Sequence, residues 1–195
     1  RWLVFIDSHY FGTALVKGLL DLGQHVMTVA IGSSFEQHPS GESYTLNPGN
    51  KDDYMALIHQ LKVNEQLPDI IAHTWSLRDA ESSPDSQIFE ELQDVSYYSL
   101  LFLARALGRE APEHAVHIGV MTNNIHDVSG IDRISPEKAT LLGPCKVIPQ
   151  EHQTLSCTCI DVAPPSQGSR QSRQLVDCLI RELATETREV VLAFR

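Results

Sequence analysis

This chain of 195 residues is short of positive charge, of cysteine and of long apolar runs, and each shortage argues against a class of function. Fifteen Lys and Arg face 25 Asp and Glu, a formal charge of -10 that repels a phosphate backbone at long range, so nucleic acid is not expected as a partner. No stretch approaches the roughly 20 apolar residues that cross a bilayer, and no signal-peptide pattern is present, so a cytoplasmic setting without a membrane is expected. The four cysteines are Cys145, Cys157, Cys159 and Cys178. Cys157 and Cys159 share one face of a strand, which suits a disulfide poorly, and with His152 they supply only three scattered zinc ligands. Buried thiols in a reducing compartment are the expectation, with no metal. The chain opens on Arg with Trp2 already in a strand, and reads as one domain over residues 1–195 taken from something longer.

What is present is an alternation. Residues 2–6 are a continuous apolar run, followed by a turn at 7–12 and then Ala14, Leu15, Leu19 and Leu20 at helical spacing before Gly23. A second apolar run covers 25–31, a polar loop 32–43, and a short strand 44–46. Asp52 or Asp53 can cap a helix whose inner face is Tyr54, Leu57, Ile58 and Leu61. Residues 70–73 make a buried strand with Trp75 at its carboxyl end, and 80–86 form an acidic, Ser-rich connection. One long helix over 88–107 carries Ile88, Leu92, Val95, Ser99, Leu103 and Leu107 on one face, so wide an apolar surface that burial on more than one side is expected. Strands at 115–121, 155–162 and 190–194 and a helix over Leu175, Leu179, Ile180 and Leu183 complete the pattern. Strands alternating with helices predict an α/β fold, a Rossmann-like, doubly wound parallel sheet.

Ligand chemistry on such a sheet belongs at the carboxyl ends of its strands, and there the sequence is poor. Dinucleotide binding needs closely spaced glycines after the first strand, so that the backbone can approach a pyrophosphate at a helix N-terminus. Positions 7–12 supply only Gly12, and His9, Tyr10 and Phe11 place bulk where phosphates need space. The second strand ends in Ala30-Ile-Gly32, with neither an acid for a ribose hydroxyl nor an Arg for a second phosphate. No tyrosine has a lysine four residues on, because Ile134 precedes Lys138 and Leu142 precedes Lys146. A proton donor for a developing alkoxide is therefore missing. Thr122 is the nearest match to a carbonyl-holding serine at the end of the fifth strand, and a turn or capping role suits it equally. Neither catalytic nor cofactor-binding residues are assigned. The nine histidines lack ligand spacing, and most are expected to be solvated or singly hydrogen-bonded.

Residues 136–151 hold Leu141, Leu142, Cys145 and Ile148 at helical intervals, with Pro136 suited to the first turn and Pro144 predicting a kink or break near Gly143. This segment belongs to an ordered series of motifs: Tyr44-Thr-Leu46, His73-Thr-Trp75-Ser76-Leu77, Gln93-Asp-x-x-Tyr97-x-Ser99-Leu-Leu101, Pro136-Glu-Lys-Ala-x-x-x-Gly143-Pro-Cys-Lys-Val-Ile-Pro-Gln-Glu151 and Ile160-Asp-Val162. Together they resemble the structural subdomain of ketoreductase regions in modular type I polyketide synthases, over nearly the whole chain. The resemblance implies a truncated short-chain-dehydrogenase fold that is not an enzyme by itself and packs on a catalytic ketoreductase subdomain. NADPH is then expected on that partner and not on this chain. The parent reaction would be reduction of a β-ketoacyl group on an acyl carrier protein, a partner met only indirectly, among neighbouring synthase domains. It further implies an apolar subdomain interface on one of two helices, with Tyr97, Leu100, Leu103 and Leu107 on the first and Lys138, Leu141, Cys145 and Ile148 on the second. A divergent stand-alone reductase and a carrier-protein docking module, using the acidic stretch 80–86, are the competing expectations.

Overall fold

The computed structural model describes residues 1–6, 10–78, 86–185 and 189–195, the side chains of 86–88 excepted. The turn at 7–9 and the acidic stretch at 80–85, on which two of the expectations rest, lie outside the described residues.

Eight strands form one sheet in the order β3-β4-β2-β1-β5-β6-β7-β8. They are β1 (Trp2–Phe5), β2 (Val26–Ile31), β3 (Glu36–Gln37), β4 (Ser43–Leu46), β5 (Ile70–Ser76), β6 (Val116–Thr122), β7 (Leu155–Val162) and β8 (Val191–Phe194). Every pairing is parallel except β3 with β4, a short antiparallel flap at one edge. The order runs outward from β1 in both directions, the doubly wound arrangement expected from right-handed crossovers.

Two apolar layers explain the sequence pattern. One face of the sheet packs Leu3, Phe5, Ile71, Ile118 and Val120 beneath α2 (Lys51–Val63), α4 (Ser99–Glu110) and α5 (Leu142–Glu151). The other packs Val4, Ala72, Met121 and Ile160 beneath α1 (Tyr10–Asp21) and α6 (Arg170–Ala184). Strands covered on both faces need apolar residues at successive positions, which is why β1 reads as a run and not as alternation. Close approach on the second face depends on Gly119, where an added Cβ would lie 2.0 Å from Leu183 Cδ2.

Three local expectations need correction. The cap of α2 is Asn50, whose side chain accepts from the Asp52 N–H, while Asp53 is buried and accepts from Asn47 N at 2.9 Å and Asn50 Nδ2 at 2.6 Å. The long helix is broken into α3 (Ser86–Gln93), a π-helical turn (Asp94–Tyr98) and α4, a one-residue widening that helical spacing does not reveal. The break ahead of α5 falls at Leu141, where a 3₁₀ segment (Pro136–Leu141) passes into α-helix. Pro144 sits in the first turn of α5, where its missing N–H has no intrahelical partner to lose, so it causes no kink at Gly143.

Candidate functional site

The carboxyl edge of the central strands holds a polar cluster assembled from five parts of the chain. Asn123 follows β6 directly, and its amide completes the sheet beyond the last backbone pair, donating to Arg78 O at 2.9 Å and accepting weakly from Arg78 N at 3.4 Å. Lys138, on the 3₁₀ segment, is only 2% exposed and donates Nζ to Asn123 Oδ1 at 2.5 Å and to Arg78 O at 3.0 Å. A buried ammonium needs such partners, because desolvation without them costs several kcal/mol.

Next to this lies Asp161, fully buried near the end of β7. Its Oδ2 accepts from His126 N at 2.8 Å and from Arg195 Nη2 at 3.1 Å. Arg195 also donates to His126 O at 2.8 Å and pairs with Asp132 at 3.4 Å, so one guanidinium ties the end of β8 to the loop 123–135. Within that loop the backbone N–H groups of Ser129 and Val128 hold the Asp132 carboxyl down at about 2. The loop closes on itself through Ser135 N donating to Asn124 O at 2.7 Å, with Asn124 in the left-handed region at φ 65°.

Three oxygens in this cluster are buried without a hydrogen-bond partner among the described residues: Ser76 Oγ, Thr122 Oγ1 and Asp161 Oδ1. They sit on adjacent strands in register, since Ser76 pairs with Thr122 across β5 and β6, and Thr122 pairs with Asp161 across β6 and β7. Sequence reasoning singled out Thr122 but missed Ser76, Asp161 and Arg195. The available signal was an acid inside an otherwise apolar strand, Ile160-Asp-Val162, which predicts a buried and compensated charge.

Two contacts lie at the strand ends, where a sheet of this order takes its ligands. The Tyr10 hydroxyl donates to Pro165 O, binding the N-terminal end of α1 to the loop ahead of α6 over the strand ends. At the end of β2, a Cβ on Gly32 would lie 2.8 Å from Thr45 Cβ, so any side chain there would have to displace Thr45. Phe11 departs from expectation, since its ring is 1% exposed in the core under α1 and leaves the phosphate space alone.

Three of the four cysteines are buried thiols, as expected, while Cys178 on α6 is only partly buried. Cys145, Cys157 and Cys159 meet in the core between α5 and β7, all free. The Cys145 thiol is pushed up by its hydrogen bond with Cys157, and that of Cys159 by its bond with Cys145 and by burial, the reverse of an activated thiol. No group of three or more His, Cys, Asp or Glu among the described residues can hold a metal. Nor is any helix among them long and apolar enough to cross a membrane. His73 is one of the histidines that make a single hydrogen bond. It is fully buried, stacked on Phe5 at 4.9 Å, and its Nε2 meets Ser99 Oγ at 2.7 Å. Burial lowers its pKa to about 3.

The expected interface residues divide sharply. Leu100, Leu103, Leu107, Leu141, Cys145 and Ile148 are at most 3% exposed and belong to this chain's own core. Lys138 is equally withdrawn, in the polar cluster. Leu100, Leu103 and Leu107 on α4, Cys145 and Ile148 on α5 and Leu141 on the 3₁₀ segment are buried in the core over the sheet, and Lys138 is buried by the polar cluster. Tyr97 alone retains surface, half-buried on the π-helical turn. Beside it lie Tyr98, 43% exposed, and half-buried Phe102. Tyr98 packs edge-on against Tyr97 at 5.2 Å and stacks with Phe102 at 6.0 Å, forming an aromatic patch on the outer side of the same helix.

The strand order and the placement of the polar cluster define a protein of the short-chain-dehydrogenase type of fold. The family model described as "Beta-ketoacyl synthase-like, N-terminal" matches residues 1–182, and the chain belongs to that family. No curated protein matches the chain. Among solved structures it is similar to a multidomain structure with adenylation, ketoreductase and pseudo Asub parts of a keto acid-selecting NRPS module. That similarity has TM-score 0.86 and 22% identity, covering 100% of this chain and 16% of the other. An N-terminal ketoreductase from the macrolactin assembly line superimposes at TM-score 0.76 with 18% identity, over 99% of this chain and 37% of that one. A Brucella ovis oxidoreductase of the short chain dehydrogenase/reductase family, solved with a partially ordered NAD, gives TM-score 0.70 and 15% identity, covering 100% of this chain and 98% of its own. At these identities the likeness shows the fold. The chain spans far less than two thirds of the first two structures.

Proposed function

We propose that residues 1–195 form the structural, non-catalytic subdomain of a ketoreductase region in a polyketide-synthase module, packing on and stabilising the catalytic half. One observation carries this reading. Of the two lysines on the helical segment where a short-chain dehydrogenase keeps its Tyr-x-x-x-Lys pair, Lys138 is held by Asn123 and Arg78 with Ile134 four residues back, and Lys146 is exposed with Leu142 four residues back. The framework of a reductase is kept while its proton donor is missing, which leaves a surface for a partner as the remaining use.

On this reading NADPH binds the catalytic half only. The reaction of the whole module is reduction of a β-ketoacyl group carried on an acyl carrier protein, in the cytoplasm, and this chain contributes no reacting group. The contact surface is the aromatic patch of Tyr97, Tyr98 and Phe102, because a π-helical turn marks a site specialised beyond helix formation. Buried aromatic anchors of this kind dominate stable interfaces.

Hydrogen exchange of the chain, alone and with the reductase half of its module, tests the proposal. Slowed exchange of amides in residues 94–109 on mixing is the expected result, and unchanged exchange there sinks it. NADPH titration of the chain alone should give no saturable change in nicotinamide fluorescence. Saturable binding would instead favour the stand-alone reductase.

A further inference from the structure

Ser76, Thr122 and Asp161 form a row of buried polar side chains across the ends of β5, β6 and β7. Each side chain is fully buried, and each keeps one oxygen without a partner among the described residues. Adjacent strands lie about 4.8 Å apart, so a molecule seated over Thr122 reaches the side chain on either side of it. The ligand's chemistry follows from the three oxygens. Asp161 Oδ1 only accepts, so whatever meets it must donate a proton, whereas the two hydroxyls donate or accept as required. An anion is excluded by the carboxylate. A cation is disfavoured because Asp161 already faces the guanidinium of Arg195 through Oδ2. A small neutral molecule with both donor and acceptor character remains.

We infer that Ser76 Oγ, Thr122 Oγ1 and Asp161 Oδ1 form a built binding site for internal ordered water, one or two molecules bridging the ends of β5, β6 and β7. Buried water occurs where polar groups lack protein partners, and it makes about three hydrogen bonds there. Here the water donates to Asp161 Oδ1 and completes the hydrogen bonding of both hydroxyls. It holds the three strand ends at fixed spacing where a reductase of this fold would hold substrate. The inference rests on the row itself and not on the proposed partner.

A high-resolution crystal structure of the full chain tests it first. Water density within hydrogen-bonding distance of at least two of the three oxygens is expected. Direct pairing of the Thr122 hydroxyl with Asp161 Oδ1 and no water overturns the inference, as does a metal ion recognised by short contacts and anomalous signal. The second test is oxygen-17 relaxation dispersion, which counts long-lived internal waters in solution. Thr122→Val keeps the side-chain shape and should lower that count by one or two, whereas Thr13→Val, an exposed control, should leave it unchanged. An equal count in the Thr122→Val variant and the parent overturns the inference, and the crystal structure of the parent decides alone if the variant fails to fold.

Discussion

Single side chains at the carboxyl edge have measurable consequences. Lys138 donates to Arg78 O and Asn123 Oδ1 from a buried position. Lys138→Met keeps the stem and removes the charge, leaving two acceptors to find other partners, so we expect a loss of about 1.5–3 kcal/mol in urea unfolding. His73 makes stability depend on pH in a definite direction. Its folded pKa of about 3 lies below the unfolded value near 6.5, so between those limits the unfolded state binds the extra proton. The stability it contributes is therefore present above about pH 6.5 and falls away as pH drops toward 3. From pH 7.5 to 5.0 the loss amounts to about 2 kcal/mol, measured by denaturant unfolding, and His73→Leu should flatten that limb. His117, lowered by burial, adds to the slope in the same direction. A profile flat from pH 7.5 to 5.0 would contradict the buried neutral imidazole.

At the scale of elements, helices and sheet approach through glycine. Gly119→Ala on β6 drives a methyl group into Leu183 of α6, 2.0 Å from Cδ2 and 3.2 Å from Cγ, so the leucine must leave its rotamer. A destabilisation of about 1–3 kcal/mol is expected, smaller in a Leu183→Ala background where the space is already open. Additive effects of the two substitutions in a double-mutant cycle would show that the contact is not the cause. Which elements could be read beforehand follows from their length. The seven longer strands were legible because each is an apolar run or a short buried segment between turn residues. β3 was not, since two polar residues in an edge flap have no periodicity to read. The π-helical turn was hidden because apolar residues every three or four positions fit α-helix on both sides of it. The polar cluster was legible only through what it lacked. Sequence shows that no Tyr-Lys pair exists, but strand register alone brings Ser76 beside Thr122 and Asp161.

For the whole molecule, burial redirects the expected interface. Side chains selected for apolar spacing proved to be the ones a sheet consumes, because periodicity reports which face is covered and not by what. The surface left over is the aromatic patch. Tyr98→Ala should weaken association with the reductase half at least tenfold by calorimetry, while the melting temperature of the isolated chain moves little, since the ring is exposed. Equal affinity of variant and parent would move the contact elsewhere on the surface.

The widened turn at Asp94–Tyr98 also makes the chain unusually sensitive to a lost codon. Each residue of an α-helix advances the screw by about 100°, so deleting one residue there restores regular winding and swings Phe89 and its neighbours round the axis relative to α4. Such a deletion should leave the strand order intact yet point the aromatic rings in a new direction, a change of address without a change of architecture.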